Sequence, residues 1–133
     1  MARRAVFDTN ILISGYLWKG PPRQAIEKVR DKEWTLLVSK DTVAELIRVL
    51  AYRKFGLSPQ EIQPIIEDLS RISEIVEVTT KVTAIRADLT DNMFLALAVD
   101  GRAEVIVSGD HHLLDLRQFA DVPIIRVRRF LQL

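Results

Sequence analysis

Short apolar runs alternate with segments of helical periodicity along the chain, and this alternation most constrains the fold. Because no tight hairpin signal joins one run to the next, consecutive strands are expected to be parallel and connected by crossover helices. A parallel sheet of this kind is covered by helices on both faces. The sequence therefore predicts an α/β fold with strands at residues 5–8, 35–38, 75–78, 105–107 and 124–125.

Cap patterns and apolar spacing place helices between these strands. Ser58 and Glu61 flank a proline in the order of a capping box, so a helix is expected from there to about residue 72. Residues 41–50 carry apolar side chains at helical spacing. Glu45 borders that apolar stripe and is expected to point along the edge of the sheet.

Length and composition bound the class of protein. The 133 residues are enough to bury about two-thirds of the unfolded surface, and a single domain over residues 1–133 is expected. The absence of cysteine removes disulfides and thiolate chemistry and fits a cytoplasmic location. No apolar stretch approaches the roughly 18 residues that span a bilayer, so no membrane partner is expected. The net charge of +1 gives no global attraction to a polyanion.

Acidic residues stand where predicted strands end or helices begin. Asp8 and Asp110 each follow a strand, and Asp91 opens the apolar helix 92–99. In an open parallel sheet the carboxyl ends of the strands face one crevice, which is where ligands bind. We therefore expect Asp8, Asp91 and Asp110 to converge there, with Glu45 directed into the same crevice.

Four carboxylates in one crevice need compensation for their charge. Two of them about 4 Å apart repel by about 4 kcal/mol at an effective dielectric constant near 20. Either some take up protons, or cations bind, and the hard ions Mg²⁺ and Mn²⁺ prefer such oxygen ligands. Two ions roughly 3.5–4 Å apart would bracket a scissile phosphate. The pattern thus predicts phosphodiester hydrolysis without a protein nucleophile.

Each acid also has a structural interpretation. Asp8 or Asp91 alone is typical of a helix N-cap. Glu45 is placed to pair with Arg48 one helical turn away, and Asp110 after a glycine is typical of a turn. The functional interpretation therefore depends on finding all four together.

Neighbours of these acids are candidates for supporting roles. Asp88 stands three residues before Asp91 and is either an auxiliary carboxylate or a loop residue. Asn10 and Ser108 lie beside acids and are expected to hydrogen-bond to them or to bound water, although turn and cap duty explains them as well.

His111 and His112 follow Asp110 directly. On a helix, adjacent side chains diverge by roughly 100°, so the two imidazoles are not expected to ligate one ion together. Surface or phosphate contact is the favoured interpretation.

Four motifs, each weak alone, are specific in their order and spacing. They are Phe7-Asp8-Thr9-Asn10-Ile11-Leu12-Ile13-Ser14, Ser39-Lys40-Asp41-Thr42-Val43-Ala44-Glu45-Leu46, Asp88-Leu89-Thr90-Asp91-Asn92-Met93-Phe94-Leu95-Ala96-Leu97-Ala98 and Ile106-Val107-Ser108-Gly109-Asp110. At these motifs, over residues 4–127, the sequence resembles the PIN-domain nucleases, especially the VapC-like toxins of bacterial and archaeal toxin-antitoxin pairs.

The resemblance implies more than the residues alone establish. It implies a three-layer α/β/α fold with a central parallel sheet, Mg²⁺- or Mn²⁺-dependent cleavage of RNA, frequent homodimers and an antitoxin protein as partner. By position, Asp8, Glu45, Asp91 and Asp110 match the acidic metal-binding quartet of that family. Where many relatives have another acid shortly after the fourth, this chain has histidines, which leaves a weakly active site as an alternative.

Rival functions remain at this point. One is an inactive PIN-fold module that binds RNA or a partner protein, and another is a DNA-directed nuclease, since no residue visibly reads a 2′-hydroxyl. A phospho-receiver domain is disfavoured because Asp8 has no acidic neighbour. A dinucleotide-binding domain is disfavoured because the first strand lacks a Gly-x-Gly-x-x-Gly turn.

Overall fold

The computed structural model describes residues 3–85 and 89–133 of the chain. Strands and helices alternate over most of this length, as the apolar runs predict. In chain order the elements are β1 (Arg3–Phe7), α1 (Thr9–Leu17), α2 (Pro21–Arg30), β2 (Trp34–Val38), α3 (Lys40–Leu50), a 3₁₀ helix (Arg53–Phe55), α4 (Pro59–Ile72), β3 (Ser73–Ile75), a second 3₁₀ helix (Leu89–Asp91), α5 (Asn92–Asp100), β4 (Val105–Val107), α6 (His111–Leu114), β5 (Gln118–Phe119), β6 (Val122–Ile125) and α7 (Val127–Phe130).

The strands form one mostly parallel sheet in the order β3-β2-β1-β4-β6-β5. β1 lies inside the sheet and pairs in parallel with β2 on one side and with β4 on the other. β3 and β6 extend the parallel pairing outward. The strand ends of β1 and β4 are thus neighbours, and this places Asp8 and the Ser108–Asp110 segment side by side. The predicted α/β class with a central parallel sheet is confirmed.

The sheet separates two apolar clusters, one on each face. Side chains of β1 alternate between them, with Ala5 and Phe7 in the first cluster and Val6 in the second. Helices α1, α2, α3, α4 and α7 pack in the first cluster, and α5 and α6 pack in the second. The helices therefore cover both faces, and the arrangement has three layers.

An aromatic group completes the first cluster. Phe130 of α7 is fully buried, with its ring centroid 5.2 Å from that of Phe7 and 4.8 Å from that of Trp34. α7 thereby rests against the strand residue that immediately precedes Asp8.

The capping box predicted at the start of α4 is present. The Ser58 N–H donates to Glu61 Oε1 at 3.0 Å, and the Glu61 N–H donates to Ser58 Oγ at 3.3 Å. The strand expected after this helix is displaced, because β3 spans Ser73–Ile75 and not residues 75–78. Its partner β2 ends at Val38, which pairs with Ile75. The alternating pattern of residues 76–78 therefore continues past the end of the strand it would pair with.

An antiparallel hairpin at one edge of the sheet escaped the sequence analysis. β5 and β6 pair through Gln118 with Pro123 and Phe119 with Val122. The two linking residues, Ala120 and Asp121, have φ values of +49° and +66°. Positive φ at both central positions is the signature of a type I′ turn, which usually carries asparagine and glycine. The turn residues here gave no such signal.

Within the described residues, no helix is both long and apolar enough to cross a membrane.

Candidate functional site

The four predicted acids line one cleft at the carboxyl ends of β1 and β4. The cleft has a volume of about 110 Å³. Two of its carboxylates come from the strand ends, and the others come from α3 and from the start of α5. The lining residues are Asp8, Thr9, Asn10, Glu45, Val49, Thr90, Asp91, Phe94 and Asp110.

Asp8 is held from both sides by hydrogen bonds. Its backbone N–H donates to the carbonyl of Val107 at 3.0 Å, which fixes the end of β1 against β4. Its Oδ1 accepts from the Ile11 N–H at 2.9 Å, so the residue is the N-cap of α1. Its Oδ2 accepts a short hydrogen bond from the Ser108 hydroxyl. Asp8 is only 4% exposed. The cap interpretation therefore holds for this residue, and its side chain also lines the cleft.

Ser108 connects the two strand-end carboxylates. Its side chain is fully buried, its hydroxyl donates to Asp8, and its Oγ accepts from the Asp110 N–H at 2.9 Å. The Asp110 carboxylate in turn accepts from the His112 N–H at 2.8 Å and caps α6. This chain of hydrogen bonds fixes the position of Asp110 relative to Asp8. Ser108 thus stands where the sequence predicted a supporting residue.

The described residues balance the negative charge of the cleft only in part, through the pair between Glu45 and Arg48. Burial raises the pKa of Asp8, and the negative charge of Asp110 raises it further, while hydrogen bonds from Ser108 and Ile11 oppose that rise. Among the described residues, no lysine or arginine lines the cleft. A bound cation would favour the ionised form of Asp8.

Asp91 lines the cleft from the start of α5. It is 8% exposed and ends the 3₁₀ helix that leads into α5. Asn92 fixes the start of α5, because its amide donates to the Ile85 carbonyl and accepts from the Ile85 N–H, each at 2.8 Å. The predicted auxiliary carboxylate Asp88 falls outside the described residues.

Glu45 lines the cleft and also forms the predicted pair with Arg48. The two Arg48 nitrogens Nη2 and Nε lie 2.6 and 3.1 Å from the Glu45 carboxylate oxygens. The side chain of Arg48 is 57% exposed, and solvent screens an ion pair of this kind, so its contribution to stability is small. The pair therefore competes only weakly with a cation for Glu45.

Three residues line the cleft although the sequence analysis did not assign them to the site. Val49 follows Glu45 by one helical turn and Thr90 precedes Asp91, and these spacings were the signals that sequence reasoning missed. Phe94 lines the cleft and is also part of the second apolar cluster. Asn10, a predicted supporting residue, lies exposed in the lining.

The buried hydroxyl Thr9 Oγ1 has no hydrogen-bond partner among the described residues. An oxygen of this kind beside carboxylates fits a site that takes a cation or its water ligands. The donor set of the cleft is all oxygen, which suits hard dications such as Mg²⁺ and Mn²⁺. The residues present thus fit the metal that the sequence analysis expected.

The two histidines do not diverge as expected. Their ring centroids lie 4.1 Å apart, and one nitrogen of each lies within 4.8 Å of the other and of an Asp110 carboxylate oxygen. The backbone of a helix sets the direction of each Cβ, but side-chain torsions set the position of the ring, and these bring His111 and His112 together. The expectation that they cannot approach one ion together is therefore wrong.

A family model described as the PIN domain matches residues 4–112, which include all four acids. The chain belongs to the PIN-domain family. Among solved structures, it is similar to a chain of the crystal structure of VapBC2 from Rickettsia felis bound to a DNA fragment from their promoter, with a TM-score of 0.62, 17% identity, and 91% of this chain and 96% of that chain covered. It is also similar to the structure of the T. brucei RRP44 PIN domain, with a TM-score of 0.50, 13% identity, and 99% and 80% covered. At these identities the likeness is one of fold.

No curated protein matches the chain in sequence. PIN domains are generally nucleases that use divalent metal ions.

Proposed function

We propose that this PIN domain is a metal-dependent endoribonuclease that hydrolyses RNA phosphodiester bonds. Asp8, Glu45, Asp91 and Asp110 would hold Mg²⁺ or Mn²⁺. The observation that carries the proposal is that these four carboxylates, from four separate parts of the chain, line one cleft to which no described lysine or arginine contributes. A site of this composition favours a dication and a phosphate bound to it.

Some residues of the cleft would bind the cation, and others would orient its ligands or the attacking water. Asp8, Asp91 and Asp110 bind the cation directly, and Glu45 completes a second cation position or orients the attacking water. Ser108 keeps the Asp8 and Asp110 carboxylates in a fixed relation through its two hydrogen bonds. When bound, the dication activates water and neutralises charge that develops on the phosphate.

Three arginines near the strand ends are candidates to hold the RNA backbone. Ile125 ends β6, and its carbonyl accepts from the Ser108 N–H at 3.0 Å, so the chain leaves β6 at the same edge of the sheet as the cleft. Arg126, Arg128 and Arg129 follow directly and are exposed. None of the three takes part in an ion pair with another described residue. Exposed cations there would attract phosphates without reading sequence.

The biological setting is also a proposal. Similarity of fold to a chain of the VapBC2 structure supports a VapC-like toxin that acts in the cytoplasm and binds an antitoxin protein. A homodimer is the expected assembly of that class. Because β6 pairs with β4 beyond the range that the family model matches, we treat residues 1–133 as one PIN-like domain.

The decisive test is RNA cleavage by the wild type and by Asp8→Asn, with Mg²⁺ or Mn²⁺, on single-stranded and structured RNA. Asparagine keeps the capping oxygen of Asp8 but removes its charge, so we expect at least about a 100-fold loss of initial rate in a folded protein. The matched control is Asp121→Asn, which makes the same change in a turn at the opposite end of β6 and should leave the rate unchanged. Equal rates in Asp8→Asn and wild type, or no cleavage with either ion, would count against the nuclease.

A second candidate is an inactive PIN-fold module that binds RNA or a partner protein. The Glu45–Arg48 pair favours it, as do histidines at positions where many relatives have an acid. Calorimetry separates the two, because the module predicts no heat of binding at millimolar Mn²⁺. A DNA-directed nuclease is distinguished by adding unlabelled single-stranded DNA to the RNA assay, where strong competition would point to DNA.

A further inference from the structure

We propose that Asp110, His111 and His112 form a separate metal site, at the rim of the acidic cleft, for a borderline dication such as Zn²⁺. One ligand atom from each of the three residues lies within 4.8 Å of the other two. The imidazole rings are neighbours, with centroids 4.1 Å apart and planes inclined by 40°. Two nitrogens and one carboxylate oxygen are thus presented to a single point in space.

The chemistry of this donor set differs from that of the cleft. Imidazole nitrogen suits Zn²⁺, Ni²⁺ and Co²⁺, whereas Mg²⁺ is held by oxygens and retains its water. Three protein ligands leave a fourth tetrahedral position open to water. The rim site is therefore expected to select a different metal from the one that the all-oxygen cleft selects.

The geometry needs only a small adjustment to close around an ion. Zinc bonds of about 2.0–2.1 Å place tetrahedral ligands about 3.4 Å apart, so the donors must approach by at most about 1.4 Å. His111 is exposed and its ring can rotate without displacing packed atoms. Asp110 is already fixed, because its N–H donates to Ser108 Oγ and its Oδ1 accepts from the His112 N–H. The adjustment therefore falls on the imidazole side chains, around an Asp110 whose backbone and carboxylate are already held.

Asp110 belongs to both the rim site and the cleft. Zn²⁺ at the histidines would draw on the carboxylate that the cleft also uses, so loading of the rim lowers the affinity of the cleft for Mn²⁺. This consequence rests on the proposed function of the cleft, whereas the rim site itself does not.

Zinc binding is tested on protein from which any polyhistidine tag has been removed, by competition with a chromogenic zinc chelator. His111 and His112 are the only two histidines of the chain, so the double variant His111→Ala/His112→Ala removes every imidazole. We expect its Kd for Zn²⁺ to be at least tenfold weaker than that of the wild type, with Asp121→Asn unchanged and circular dichroism confirming a folded protein. Equal Zn²⁺ affinity in the double variant and the wild type would overturn the proposal.

A second measurement reports on the ligands directly. Imidazole proton resonances of both histidines should shift or broaden together on addition of one equivalent of Zn²⁺, and millimolar Mg²⁺ should not reverse the change. Resonances that stay in place with Zn²⁺ bound would also overturn the rim site. Neither measurement contains RNA, so a failed cleavage assay with zinc binding intact would count against the nuclease and leave the rim site standing.

Discussion

Asp8 and Asp68 are both aspartates held by hydrogen bonds, yet their surroundings are opposite. Arg30 meets the Asp68 carboxylate with two nitrogens at 2.9 and 3.0 Å, and the Tyr16 hydroxyl donates to it at 2.8 Å. These contacts, led by the hydrogen bonds from Arg30, lower the pKa of Asp68, whereas burial raises the pKa of Asp8. Asp68 is balanced by a cation of the chain itself. Asp8 forms no ion pair with any described lysine or arginine, and this difference separates a structural acid from one that is available to a ligand.

Among the changes that test this comparison, removal of the hydroxyl that supports each acid is expected to have the largest effect. Ser108→Ala removes the group that holds Asp8 and Asp110 together, and loss of such a supporting contact typically costs 10- to 100-fold in activity or metal affinity, so we expect about that loss in the rate of RNA cleavage. The matched change Tyr16→Phe removes the hydroxyl that supports Asp68 and should leave the rate within about twofold, since neither residue is part of the cleft lining. Initial rates with saturating Mn²⁺ measure both. Similar losses of cleavage rate in Ser108→Ala and Tyr16→Phe would contradict the distinction between Asp8 and Asp68.

The free energy of unfolding should respond in the reverse order, with a larger loss from a change at Asp68 than from one at Asp8. Asp68→Asn leaves the Arg30 guanidinium without its carboxylate, and because the pair is only partly buried we expect the free energy of unfolding to fall by about 1–2 kcal/mol. Asp8→Asn keeps an acceptor for the Ile11 N–H and removes a buried charge, so a loss below about 1 kcal/mol is expected. Urea titrations without added metal compare the two. A larger loss in Asp8→Asn would mean that its carboxylate stabilises the fold.

The smallest effect concerns pH. The lowered pKa of Asp68 gives a stabilisation that is fully present above the pKa of an unfolded aspartate, about 3.9, and is lost as pH falls through the lower pKa of the folded state. The difference in unfolding free energy between wild type and Asp68→Asn should therefore be constant near neutral pH. It should shrink progressively below about pH 4. Urea titrations at pH 7, 5, 4 and 3 measure this, and a difference that grew on acidification would contradict the assignment.

The parts of the structure that local chemistry determines could be predicted from the sequence. Apolar runs followed by an acid, directly at Asp8 and after two residues at Asp110, predicted the ends of β1 and β4, and Ser58 with Glu61 predicted the start of α4. Convergence of the acids followed from one rule about parallel strands. Asp8 and Asp110 could be placed in one region because both stand at the carboxyl ends of strands in the same parallel sheet.

The features that depend on a partner strand or on backbone and side-chain torsions could not be predicted from the sequence. β3 ends where its partner β2 stops. The alternating pattern of residues 75–78 carries no information about the length of that partner strand. The turn at Ala120 and Asp121 adopts left-handed backbone angles that its residues rarely signal. The neighbouring rings of His111 and His112 depend on side-chain rotamers, which periodicity does not specify.

Phe130 lies in the last helix, so the part of the chain that is synthesised last completes the packing behind Asp8. A ribosome-bound chain that has emerged only as far as Asp110 already carries all four carboxylates, but it lacks the ring that packs on Phe7 and Trp34. Truncating a buried phenylalanine to alanine typically costs about 3–5 kcal/mol, so the wall behind Asp8 stays poorly packed until α7 arrives. A chain that ended before α7 would therefore carry all four carboxylates without the packed wall that supports Asp8.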